Sequence, residues 1–185
     1  MNKADRKAKI SKDKAFYARC IRQLKAWGAP TDGWYCVGVN DVREYDRDAP
    51  LSTCELCGCP HVRYEHIMEN ELYFEPVTVG CICAGIMEGS VLAAEEREKQ
   101  MANRAKRRRN FLKHKWQHPW REYWYRTYRG QKVEIHESGG RYTVYAGDRV
   151  ASRYKGKPIL DFYSAIYAAF ELADPKEEIV CEKNR

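Results

Sequence analysis

Four cysteines in two close pairs, Cys54 with Cys57 and Cys81 with Cys83, are the residues of this 185-residue chain best suited to chemistry. Thiols spaced this way can each span an edge of a tetrahedron around Zn²⁺, with sulfurs about 2.3 Å from the metal. Gly58 follows the first pair and supplies a tight turn. Cys54, Cys57, Cys81 and Cys83 are therefore the expected ligands of one structural Zn²⁺. Cys59, His61 and His66 lie in the same stretch and compete with Cys81 for the fourth position. Cys20, Cys36 and Cys181 stand alone and read as buried or free thiols. Eight cysteines in a chain this long fall short of a secreted disulfide scaffold, so clustered thiols point to metal and to a reducing, cytoplasmic setting.

A second group of residues could bind polyanions. Between Arg104 and Lys115 the chain carries Arg104, Lys106, Arg107, Arg108, Arg109, Lys113 and Lys115, and aromatic residues then alternate with further cations up to Arg129. Cations neutralise phosphates and flat rings stack on exposed bases, so this segment is the expected nucleic-acid contact, for DNA or RNA. The bland alternative is that the rings are core and the long basic stems cover them. The net charge of +7 is unevenly laid out: +7 over residues 1–25, −9 over 26–100, +9 over 101–129 and zero over 130–185. An acidic cysteine module repels phosphate, which leaves the flanking basic segments as the contact or lets them dock the acidic module internally.

Several elements must position these groups. Ser11 reads as the N-cap of a helix over residues 12–27, with Phe16, Cys20, Leu24 and Trp27 on one face and Gly28 at its end. Residues 33–39 read as a buried strand. Residues 62–68 and 72–79 read as a β-hairpin turning at Asn70. A helical pattern starts at Ala84 and runs to Pro119, with Gly85 and Gly89 weakening its first turns. Pro119 could then open a second helix on which Trp120, Trp124 and Tyr128 share a face. Residues 132–136, 141–145 and 149–154 read as three strands, and 161–173 as an amphipathic helix.

Knuckle, hairpin, then a helix carrying the last thiols is an order that resembles treble-clef zinc proteins. The chain is similar in particular to bacterial and phage proteins that read CxxCG, then IRY or VRY, then VGxxC. The resemblance spans about 35 residues, and Cys54, Cys57 and Cys83 match it; the CxC spacing at Cys81 departs from it. It implies a fold for the module and no activity. The α-β-β-β-α order of the C-terminal half is similar to double-stranded-RNA-binding domains. Its sheet and last helix are similar to AP2-type DNA-binding domains, which would make Arg141, Arg149, Arg153 and Lys155 candidate contacts.

The expected architecture is α+β: a zinc treble clef joined by a long basic helix to a small three-stranded antiparallel sheet with a covering helix. Its divisions are residues 1–30, 31–100, 101–129, 130–175 and a polar tail, 176–185. No membrane span or secretion signal is expected. The expected function is a zinc-binding, nucleic-acid-associated, non-enzymatic module. A protein-interaction module, such as a phage or defence-system inhibitor or adaptor, is the alternative. An HNH-like nuclease built on His66 and Asn70 is the minor one, because the helix after the knuckle offers no histidine, only Glu88, Glu95 and Glu96, to complete it.

Overall fold

The computed structural model describes residues 3–176, with side chains from residue 13 onward. Cys181 and the tail from residue 177 lie outside the described residues. The protein is α+β and divides into two compact units, the first ending at Asn103 and the second starting at Arg104.

In the first unit, α1 (Lys3–Ala26) already includes Ser11, which therefore lies inside the helix rather than capping it. Cys20 and Leu24, one turn apart, are fully buried, and Phe16 and Trp27 pack beside them. Gly28, at φ +68°, ends the helix. The strands β1 (Tyr35–Asp41), β2 (Tyr64–Glu69) and β3 (Val77–Val79) form an antiparallel sheet in that order. Its register sets His66 between Val39 and Val79. The returning strand is shorter than expected. Asn70 Oδ1 accepts from the Leu72 N–H at 2.9 Å and its amide donates to the Asp32 carbonyl, so the segment after it folds as a turn.

The helical pattern after the hairpin is two helices, α2 (Cys81–Glu88) and α3 (Val91–Lys113). Gly89 takes a left-handed conformation at φ +80° and breaks them, and Ser90 Oγ then accepts from the Ala93 N–H. The start of α3 presses on Gly85. A Cβ there would sit 2.5 Å from Val91 Cα.

The second unit contains the end of α3, then β4 (Gln117–Trp120), β5 (Tyr123–Tyr128), β6 (Gln131–Ser138), β7 (Arg141–Ala146) and β8 (Arg149–Ala151), hydrogen-bonded in chain order as a five-stranded antiparallel sheet. A small ribbon, β9 (Arg153–Tyr154) with β10 (Lys157–Pro158), leads to α4 (Phe162–Ala173). Asp161 caps α4 by accepting from the Ser164 N–H at 2.8 Å. Val133, Ile135, Val144 and Ala146 of the sheet pack on Ala165, Ala169 and Phe170 of α4, with Phe111 of α3 completing the core.

Two expectations are corrected here. The helix after Pro119 does not form, so Trp120, Trp124 and Tyr128 share no helical face. The three-stranded sheet is five-stranded because β4 and β5 take that segment instead. The physical reason is that rings and β-branched residues favour a pleated surface, and Glu122 and Arg129 accept positive φ at the two turns. Because β5 carries aromatic residues on both faces, its period of two is invisible as an apolar alternation.

Candidate metal centre and nucleic-acid interface

The CxxCG step forms a tight turn. Gly58 sits at φ +72° and its N–H donates to the Cys54 carbonyl at 2.8 Å. Cys83 comes from the first turn of α2. The Sγ atoms of Cys54, Cys57 and Cys83 all lie within 4.8 Å of one another, a separation from which one ion can reach all three. Cys54 and Cys83 are buried and Cys57 is half-buried. The donor set fits Zn²⁺, which favours thiolates.

The electrostatics already favour a thiolate. The Cys54 thiol is lowered to about 5, chiefly because Cys83 donates to it, against the cost of burial, with the backbone N–H groups of Gly80 and Cys57 adding further donors. Burial pushes Cys57 up, and the neighbouring sulfurs of Cys20 and Cys54 push Cys83 up. Three sulfurs packed this closely cannot all ionise without a cation between them.

Cys81 is not part of this cluster. Residues two apart on an α-helix point about 200° away from each other, so one ion cannot hold both thiols of a helical CxC. Cys81 instead groups with His66 and Glu98. Of the other rivals for the fourth position, Cys59 and His61 are exposed. Cys20, read from sequence as a lone thiol, is 1% exposed and hydrogen-bonded to Cys83, which lowers its own pKa. The signal for it was present in the sequence: a cysteine on the buried stripe of α1, one turn before Leu24. Nothing local tied it to a knuckle more than 30 residues away.

The basic segment splits by helix face. Arg104 is 5% exposed and donates to the Asp174 carbonyl at 3.0 and 2.8 Å and to Glu171 at 2.6 Å, with its guanidinium 4.9 Å from the Phe170 ring. Arg107 grips the Asp174 carboxylate at 2.6 and 2.9 Å. Arg108 is buried beside Glu171 and the Tyr167 ring. The expectation that these three present their charge to a polyanion is corrected: they bind the acids of α4 and the residue after it. Lys106, Arg109, Lys113 and Lys115 remain exposed.

The rings also divide. Trp124 and Tyr128 pack into the core of the second unit, and Arg126 lies 4.4 Å from the Phe111 ring. Tyr123 and Tyr125 point to the opposite face of the sheet, the one away from α4. There Trp120 stacks on Tyr123 at 5.3 Å, Tyr123 on Tyr125 at 5.7 Å, and His136 meets Tyr123 at 4.8 Å and Tyr145 at 5.0 Å. Lys132 lies over Tyr123 and Tyr125 and pairs with Glu134 at 2.7 Å. Trp120 is 66% exposed. This ring platform was hidden in the sequence by the helical reading of the segment. Among the AP2-type candidates, Arg141, Arg149, Arg153 and Lys155, Arg141 shares the ring face by register, and β9 carries Arg153 off this sheet.

The two residues of the nuclease reading do not come together as a reachable pair. His66 is fully buried, and the Asn70 amide is spent on its turn and on Asp32.

No family model, curated protein or solved structure matches this chain. No described helix is long and apolar enough to cross a membrane.

Proposed function

We propose that the protein is a zinc-stabilised, non-enzymatic module that binds single-stranded nucleic acid. Cys54, Cys57 and Cys83 hold a structural Zn²⁺ in the first unit, with the CxxCG turn, the β2–β3 hairpin and the N-terminus of α2 in treble-clef order, and Cys20 lies beside them, hydrogen-bonded to Cys83. The observation that carries the nucleic-acid reading is the row of rings Trp120, Tyr123, Tyr125, His136 and Tyr145 on one sheet face of the second unit. Trp120, His136 and Tyr145 are the exposed rings of the row, resting on the buried Tyr123 and half-buried Tyr125; exposed π-faces accept any base, and each stacked base contributes about 1–3 kcal/mol. Lys113, Lys115 and Arg121, exposed and close in sequence to β4, supply charge for the backbone. A duplex hides its base faces, so extended single strands are the better occupant.

Gel shifts at low salt with single-stranded and duplex DNA and RNA test this. Single strands should bind more tightly, and affinity should fall steeply with salt. Trp120→Ala, at an exposed position, should cost about 1–3 kcal/mol of that binding, roughly 5- to 150-fold. Absence of binding to every substrate at low salt would remove the proposal.

A protein-interaction reading draws on a different surface. Leu72 and Phe74 are 84% and 82% exposed on the β2–β3 connection, between the acidic residues Glu71 and Glu75. Capture of a partner that survives nuclease treatment and is lost in a Leu72→Ser, Phe74→Ser variant would favour it.

A further inference from the structure

The first unit holds a second group of metal-binding atoms, distinct from the cluster of three thiols. His66, in the middle of β2, Cys81, at the first position of α2, and Glu98, on α3, bring one ligand atom each to within 4.8 Å of one another. Three different elements converge there, so the grouping is not a by-product of one helix face.

His66 is the observation that demands an explanation. Its side chain is 0% exposed, and neither ring nitrogen has a hydrogen-bond partner. Its Nε2 lies 3.9 Å from Glu98 Oε2, beyond hydrogen-bond reach. A buried polar group without a partner destabilises a fold, so a bare imidazole at this position is costly unless something binds it. Cys81 and Glu98 line a cleft of about 390 Å³ whose lining also includes Cys54, Cys57 and Cys83, while His66 lies outside it.

We propose that His66, Cys81 and Glu98 form a second divalent-metal site of zinc type. One nitrogen, one sulfur and one carboxylate oxygen make a three-ligand set, which leaves a fourth tetrahedral position on the cleft side for water or a small anionic ligand. An ion there satisfies the imidazole and neutralises Glu98. The CxC step of the sequence thereby serves two ions: Cys83 turns to the thiol cluster and Cys81 to this mixed site.

Metal stoichiometry and cobalt substitution of the full chain test it. The wild-type protein, purified, stripped and reloaded with Zn²⁺, should hold two equivalents by elemental analysis. Glu98→Gln, at a partly exposed position that can be changed without opening the core, should hold one, and so should Cys81→Ser. With Co²⁺, both variants should keep the absorption of the thiolate-rich site and lose that of the site with a single thiolate. One equivalent in the wild type, with Glu98→Gln and Cys81→Ser unchanged in stoichiometry and cobalt spectrum, would overturn the proposal. The outcome is independent of nucleic-acid binding, which is read on different residues in the second unit.

Discussion

Replacing Arg104 by Ala should unfold the second unit at a much lower temperature while leaving nucleic-acid affinity per folded molecule nearly unchanged. The side chain is 6% exposed and, among its contacts with described residues, donates twice to the Asp174 carbonyl and once to Glu171 while covering the Phe170 ring. Removing one partner of a buried ion pair costs about 3–5 kcal/mol, because the other is left unpaired. Glu171 is 27% exposed and keeps Arg108 beside it at 3.7 Å, which brings the expectation to the low end, about 3 kcal/mol. In a unit of this size each kcal/mol moves the melting temperature by about 4–8 °C, so a drop of roughly 12–24 °C follows. Hydrogen exchange on the full chain assigns the loss, because amides of β6 and β7 should lose protection and those of β1 and β2 should keep it. Lys106→Ala, two residues along the same helix and exposed, is the control and should leave melting within about 0.5 kcal/mol of wild type. If Arg104→Ala melts like wild type but binds nucleic acid more weakly, the arginine is a surface contact and the internal assignment is wrong.

Acid should act on the neighbouring carboxylate. Burial raises the Asp174 pKa, but hydrogen bonds and charge from Arg107 and Tyr128, with Arg104 behind them, outweigh it and hold the group below its ordinary value. Its contribution is thus complete above about pH 4, the unfolded value, and is lost as pH falls through the lower folded value; Asp174→Asn should flatten that part of a stability-versus-pH curve. Chelation of the wild type, or Cys57→Ser, should remove the cooperative melting of the first unit, since structural Zn²⁺ supplies about 10–16 kcal/mol against a typical domain stability of about 5–15 kcal/mol; the second unit's transition should persist in calorimetry. Gly85→Ala should destabilise the first unit by about 3 kcal/mol in denaturant titration. Adding Val91→Ala should not rescue it, because the obstructing atom is the Val91 backbone Cα.

Much of the scaffold was legible in the chain because its cues are local. CxxCG specified a tight turn, Gly89 a weak point in the helical pattern, residues 161–173 an amphipathic helix, and the alternation of Val133, Ile135 and Val144 two strands of a sheet. The segment after Pro119 misled because its rings fit a period of four as well as a period of two. Only the sheet, by putting Trp124 against Phe162 and Tyr123 in the outward row, decided between them. The same holds for charge. RAKRRR announces a polyanion surface until α4 brings Glu171 and Asp174 to one side of it.

By itself the sequence determined that thiols gather around a knuckle and that a basic, aromatic stretch follows. Which donor atoms come together was decided in three dimensions. The turn of α2 sends Cys81 and Cys83 to opposite sides, and helix and sheet packing bring Cys20, His66 and Glu98 to them from distant parts of the chain. Ligand spacing is a local property of the backbone, whereas the convergence of donors depends on which apolar faces bury against one another, and no short window of residues contains that information.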